Sequence, residues 1–232
     1  MEHTVKTGID GLDEALGGGF NRNNVVLVGG SNGSGKTVSS MQFVINGMLK
    51  YGELGLFISI DEEKNPMYLN MKSFGWNLEK LEREQKFVFI DYPQHEVDQF
   101  YTQENTIRTL IHNMGVKRVV LDSAVPLALV YGTDDERRAA MFDLISKIRK
   151  WNCTTIITCE DKGGISEGMP ATKYRIESVT DGFIYLYNLY RKGERRRALE
   201  ILKMRGCKHS NKIIPMEIND TGVEVFPKKR FV

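Results

Sequence analysis

Three cysteines in 232 residues exclude a disulfide framework: Cys153, Cys159 and Cys207 are odd in number and form no CxxC or Cys/His cluster, which also argues against a zinc site. Buried thiols are the expected state. No apolar run approaches the ~20 residues a helix needs to cross a bilayer. Met1-Glu2-His3-Thr4 also lacks the basic-then-apolar order of a secretory leader. The expectation is a cytoplasmic chain with no membrane association. Net charge is scarce too, at +2, but it is unevenly spread: from Arg191 onward there are twelve Lys/Arg against five Asp/Glu. A basic end of this kind fits a solvated sheet face, a nucleic-acid footprint, or cations aimed at a phosphate on a neighbouring subunit.

What is present is concentrated in Gly30-Ser31-Asn32-Gly33-Ser34-Gly35-Lys36-Thr37. This stretch follows the apolar run Val25-Val26-Leu27-Val28 and precedes helical spacing, the strand, loop and helix arrangement called Walker A. A triphosphate carries many acceptor oxygens, so such a loop aims several backbone N–H groups inward, and Gly33 and Gly35 allow the dihedrals and close approach this needs. Lys36 is expected on the β- and γ-phosphates and Thr37 on Mg²⁺. The expected nucleotide contacts are these eight residues and the next, Val38.

The rest of the chain alternates. Val38, Met41, Val44, Ile45, Met48 and Leu49 repeat every three or four residues, one face of a helix ending near Gly52. Apolar strands are predicted at Leu54–Ile60, Phe87–Ile90, Arg118–Ser123 and Thr154–Glu160, with helices at Glu104–Met114 and Asp134–Trp151 between them. After Asp181, Phe183–Tyr190, Arg197–Met204, Ile213–Ile218 and Val223–Phe226 read as consecutive strands joined by short turns. The prediction is an α/β fold with a mostly parallel central sheet, helices on both faces, and a C-terminal antiparallel extension, all in one domain spanning 1–232.

Several residues could carry chemistry. Asp122, closing an apolar strand, is the candidate Walker B carboxylate that fixes Mg²⁺ beside Thr37. Asp61 and Glu62 end a strand expected to lie beside the Walker A strand, where a carboxylate orients or deprotonates water; capping of the following helix is the alternative. Thr158 is a candidate γ-phosphate sensor, Gly163–Pro170 a loop over the ligand edge. Lys203 and Arg205 alternate along a strand and so share a face, which favours an anion there, on an adjacent subunit or in solvent.

Together, Thr7-Gly8-Ile9-Asp10-Gly11-Leu12-Asp13, the Walker A loop, Phe74-Gly75-Trp76, Gly193-Glu194-Arg195-Arg196-Arg197, Leu199 to Gly206 and Ile218-Asn219-Asp220-Thr221-Gly222 resemble the KaiC-like branch of the RecA-superfamily ATPases. The resemblance covers nearly the whole chain and implies a RecA-like P-loop core with ATP and Mg²⁺. It implies a hydrolytic carboxylate pair at Asp61-Glu62, where the family usually has two Glu, and a slow ATPase. It further implies that Lys203 and Arg205 reach the γ-phosphate of the next protomer in a ring, with six subunits the expected number. His209 and Asp220 match positions near the neighbouring nucleotide, and Ser73 one near the base. Relatives with a circadian role have two such domains and a phosphorylated Ser/Thr pair in the second. Thr133 before Asp134 is no such pair, so no circadian role is expected.

Archaeal single-domain relatives resemble RadA paralogues. This implies an accessory role in DNA recombination and repair, with single-stranded DNA or a recombinase as partner. Six residues precede Thr7, too few for the N-terminal DNA-binding domain of a recombinase proper, so strand exchange is not expected. A signalling ATPase that controls a protein partner without DNA is the alternative.

Overall fold

The computed structural model describes residues 4–60, 62–161, 169–191 and 193–231. In chain order the elements are β1 (Thr4–Val5), α1 (Leu12–Ala15), β2 (Phe20–Asn21), β3 (Val25–Gly30), α2 (Lys36–Tyr51), β4 (Gly55–Ile60), α3 (Lys64–Lys72), α4 (Leu78–Arg83), β5 (Phe87–Tyr92), α5 (Val97–Met114), β6 (Arg118–Asp122), α6 (Val125–Leu129), α7 (Asp134–Arg149), β7 (Thr154–Glu160), β8 (Gly182–Arg191), β9 (Glu194–Met204), β10 (Ile214–Asn219) and β11 (Gly222–Val225). The large sheet runs β11-β10-β9-β8-β3-β7-β6-β4-β5, and β1 pairs with β2 beside it.

From β8 to β5 every neighbouring pair is parallel. Those strands are apolar almost without interruption because helices cover both faces. Alternate residues of β3 divide the core: Val26 and Val28 pack with α2, α3 and α4, whereas Val25 and Leu27 pack with α5, α6 and α7. The antiparallel extension is β9-β10-β11. Its first partner, β8, pairs parallel with β3, so the extension is grafted directly onto the Walker A strand.

Two expectations of sheet order and helix burial need correction. The strand ending at Asp61-Glu62, β4, is separated from β3 by β7 and β6; sequence says nothing of non-local pairing, and the chain's crossovers place β6 and β7 inside. Helix α2 is buried beyond its apolar stripe. Ser39, Ser40 and Gln42 are inside while Leu49 is 62% exposed. Gln42 is satisfied by β11, donating to the Val223 carbonyl at 3.0 Å and accepting its N–H at 2.6 Å, as a buried amide requires.

Arg118, at the start of β6, is fully buried against α2. Its Nε meets Glu53 at 2.7 Å, one terminal nitrogen donates to the Phe43 carbonyl at 2.9 Å, and the guanidinium lies 4.6 Å from the Phe43 ring centroid. This ties the helix that follows the Walker A loop to the strand that ends in Asp122.

Candidate functional site

The loop after β3 is held in shape by its own lysine. Lys36 Nζ donates to the carbonyls of Gly30 at 2.8 Å and Ser31 at 3.1 Å. Gly35 caps α2 with φ of 104°, a conformation that L side chains rarely adopt, and a Cβ there would press on Ile218 Cδ1 at 2.9 Å. Lys36, Thr37 and Val38 open a 16-residue helix, and the N–H groups of a helix's first turn have no intrahelical acceptor, which makes its start a ready anion site. Burial pushes the Lys36 ammonium below its ordinary value, while the charges of Asp122 and Glu160 work the other way.

A cavity of about 520 Å³ opens at these strand ends. It gathers Asn32, Gly33, Gly35, Lys36, Thr37 and Val38 from the loop and α2, Asp122 from the end of β6, and Glu62 from the segment after β4. Asp122 sits opposite Ser59 in the β4–β6 register. Its carboxylate accepts from the Thr158 hydroxyl and is hydrogen-bonded to Thr37, and burial raises its pKa against those bonds and the charge of Lys36. A buried carboxylate whose hydrogen-bonding neighbours are hydroxyls is a strong candidate for a hard cation. With Thr37 it forms an oxygen-only donor pair that suits Mg²⁺. Among the described residues no group of three His, Cys, Asp or Glu is placed to hold a metal in another way.

Three expected residues need comment at this end. Thr158 donates its hydroxyl to Asp122 and so helps to orient that carboxylate. Glu62 lines the cavity and accepts from Asn70 Nδ2 at 3.3 Å, while its backbone carbonyl takes the Ser59 hydroxyl at 2.6 Å. Asp61 and residues 163–168 of the expected loop lie outside the described residues.

The basic residues separate. β9 runs antiparallel to β8, so Arg197 lies at the cavity end of the sheet and Lys203 at the far end, opposite Phe183. Lys203 Nζ donates to three carbonyls, Glu177 at 2.9 Å, Ser178 at 3.3 Å and Thr180 at 2.6 Å. Arg205 follows β9 with its side chain 56% exposed and touches Asp181 at 3.4 Å. Asp181 also accepts the Val25 N–H and a bidentate pair from Arg149. Burial works to raise its pKa, and these partners, with Arg205, bring it below the ordinary value.

His209 is in the same remote region, where Ser210 N–H donates to the Ala15 carbonyl. Asp220 lies in the β10–β11 turn, two residues from Ile218 of the cavity wall. Ser73 ends α3, its hydroxyl on the Asn70 carbonyl at 2.7 Å. Ser31 is half-buried at the loop, and Ser34 is fully buried with no partner for its hydroxyl among the described residues.

Sequence reasoning missed two cavity-end residues. Arg197 and Asn188, neighbours across β8–β9, each donate to a Walker A carbonyl. Their only sequence signal is the position of the Arg195-Arg196-Arg197 run at the start of a strand. The cysteines behave as expected for Cys153 and Cys159, which are buried and pushed up to about 11 and about 12 by burial; Cys207 is half-buried. Among the described residues no helix is long and apolar enough to cross a membrane.

Comparison with known proteins adds a family. A family model described as "ATPase: KaiC" matches residues 5–230. The circadian clock oscillator protein KaiC of Synechococcus elongatus is 32% identical over 96% of this chain, which spans 44% of that protein's length. A UPF0273 protein of Thermotoga maritima is 32% identical, with 99% of this chain and 98% of that one covered. Among solved structures, the KaiC-like protein of Pyrococcus horikoshii superposes with a TM-score of 0.85 at 33% identity, covering 97% of this chain and 99% of that one.

Proposed function

The chain belongs to the KaiC family of ATPases, with its RecA-type fold, and from that premise we propose that it binds ATP with Mg²⁺ in the cavity at the end of β3 and hydrolyses it slowly. The observation that carries this reading is the meeting of Lys36, Thr37, Asp122 and Glu62, brought from three strand ends, in one cavity. Loop N–H groups and the start of α2 bind the phosphates, and Lys36 neutralises the distal ones. Thr37 and Asp122 would hold the metal, which supplies charge neutralisation on the phosphate oxygens when bound. Glu62, or Asp61 beside it, orients the attacking water and takes its proton.

Asp122→Asn tests the metal pair. It keeps the side chain's size and removes its charge, so ATP turnover should fall and its Mg²⁺ requirement should shift to higher concentration. Unchanged turnover at the same Mg²⁺ midpoint contradicts the assignment.

We further propose that the active form is a ring, six subunits the expected number, in which Arg205 of one subunit reaches the γ-phosphate of the next. Its exposure and its position at the end of the sheet remote from its own cavity support this. Lys203, bound to three carbonyls, must exchange at least one of them to join it.

For the output of hydrolysis we propose an accessory role in DNA recombination and repair. It extends the expectation drawn from the sequence, and the exposed Leu129, Val130 and Met169 offer an apolar surface to a partner. Control of a protein partner without DNA is the alternative, since an exposed apolar surface serves either. Titration with single-stranded DNA, with and without ATP, separates them: binding with a steep salt dependence supports the first, and no binding at low salt removes it.

A further inference from the structure

A second cavity, of about 560 Å³, lies at the other end of the sheet, where β6 and β7 begin and α5 and α7 end. It is as roomy as the nucleotide cavity and shares no lining residue with it. Its floor is apolar: Ile111, Val116 and Trp151 are buried members of the core. The Trp151 indole is held in place by its own N–H, which donates to the buried Glu104 carboxylate at 2.8 Å. An apolar floor with a fixed aromatic side chain suits a ligand with a flat or apolar body.

The rim is cationic. Arg108 on α5, Lys117 in the turn before β6 and Lys150 just after α7 are exposed and line the cavity. None of these three side chains makes a hydrogen bond or an ion pair among the described residues, whereas Lys147 and Arg149 nearby are paired with Asp143 and Asp181. Among the described residues no carboxylate lines the cavity, and Glu104 behind Trp151 is engaged by the indole. Helix C-termini favour cations in general, but the last carbonyls here already have donors. Val116 N–H takes Ile111 and Gly115 N–H takes His112 in α5, and Trp151 N–H takes Ile148 in α7. Lys117 belongs to neither helix. A depression rimmed by charges of one sign concentrates the opposite charge.

We propose that this cavity is a second ligand site, for a small phosphate monoester. Its phosphate meets Arg108, Lys117 and Lys150, and its flat apolar body lies on Ile111, Val116 and Trp151. A doubly charged phosphate matches the unpaired cations, and these converge on one depression instead of tracing the line that a nucleic-acid strand needs. The site is separate from the Walker A cavity and stands whether or not that cavity binds ATP.

The test uses phenyl phosphate, inorganic phosphate and phenol as probes of the full chain. The protein has two tryptophans, so in a Trp76→Phe background the intrinsic fluorescence reports Trp151 alone. Phenyl phosphate should change it saturably, inorganic phosphate should bind more weakly, and phenol should give no response at the same concentrations. Combining Lys117→Ala with Lys150→Ala should weaken phenyl phosphate by about ten-fold or more, the range for a charge-assisted hydrogen bond. Arg108→Gln, on the other helix, is an independent variant with a loss in the same direction. An unchanged near-ultraviolet circular dichroism spectrum shows that each variant is folded. No saturable response to phenyl phosphate, or undiminished affinity in both variants, overturns the site. Equal binding of phenol and phenyl phosphate reduces the cavity to an apolar crevice and overturns the anion reading. A response to a single-stranded oligonucleotide but not to phenyl phosphate assigns the surface to nucleic acid and overturns the small ligand.

Discussion

A single methyl group on Gly47 probes how α2 is locked to β6. Judged by helix preference alone, Gly47→Ala inside a 16-residue helix should stabilise by about 1 kcal/mol. The structure reverses the sign, because the new Cβ would lie 2.2 Å from Cδ and 2.3 Å from Nε of Arg118. Arg118 cannot swing into solvent: it is 1% exposed, with Glu53 at 2.7 Å and the Phe43 carbonyl at 2.9 Å. Breaking such a buried pair costs about 3–5 kcal/mol. The net expectation is a loss of about 2–4 kcal/mol, and a chain of this size loses ~2–4 °C of Tm per kcal/mol. Urea unfolding followed by circular dichroism measures it, in wild type and in an Arg118→Ala background. In that background the clash is gone and Gly47→Ala should become neutral or stabilising. A Gly47→Ala protein as stable as wild type refutes the reasoning.

Three further outcomes follow from the site. Thr158→Val removes the hydroxyl on Asp122 at nearly constant volume; stability should fall by about 1–3 kcal/mol for the buried acceptor left short of a donor, and a Mg²⁺ titration of ATP turnover should move, an unmoved curve counting against the orienting role. Asp181 has a folded pKa below its unfolded one, so its stabilisation is present above about pH 4 and fades as pH falls through the folded value. Asp181→Asn should therefore flatten the acid limb of a stability–pH curve, and an identical acid limb contradicts the network. Arg205→Ala subunits mixed with wild type should silence a share of wild-type sites that grows with the mutant fraction; turnover strictly proportional to wild-type content excludes the contact between subunits.

The local grammar of this chain was readable because it is repeated in several independent features. The run Val25–Val28 before a Gly-rich loop, and turn residues at Gly193 and Gly222, specify strand, loop and hairpin without knowledge of anything distant. Helix α5 was seen from Glu104 but begins at Val97. Val97, Phe100 and Glu104 extend the same buried stripe, and Glu104 breaks its apolar pattern because it is a carboxylate that accepts from Trp151 Nε1 at 2.8 Å inside the core. The five-residue α6 carries too few turns for a period to register.

What sequence could not supply was adjacency across the sheet. That β6 and β7 separate β4 from β3, that β8 lies against β3, and that Arg197 therefore meets Gly33 are facts of long-range pairing. The cavity residues already named by motif, Lys36, Thr37 and Asp122, were legible because phosphate and metal chemistry restrict the residue types and their places at strand ends. Arg197 and Asn188 were not, since many residues can satisfy a carbonyl.

The most direct measurement is steady-state ATP turnover of the full chain beside Lys36→Ala, with and without Mg²⁺. Lys36 holds the loop through Gly30 and Ser31 and faces the cavity with Asp122. Turnover should be slow, require Mg²⁺, and vanish in Lys36→Ala. Equal turnover in the two proteins, or turnover indifferent to Mg²⁺, would contradict the placement of ATP hydrolysis at the end of β3.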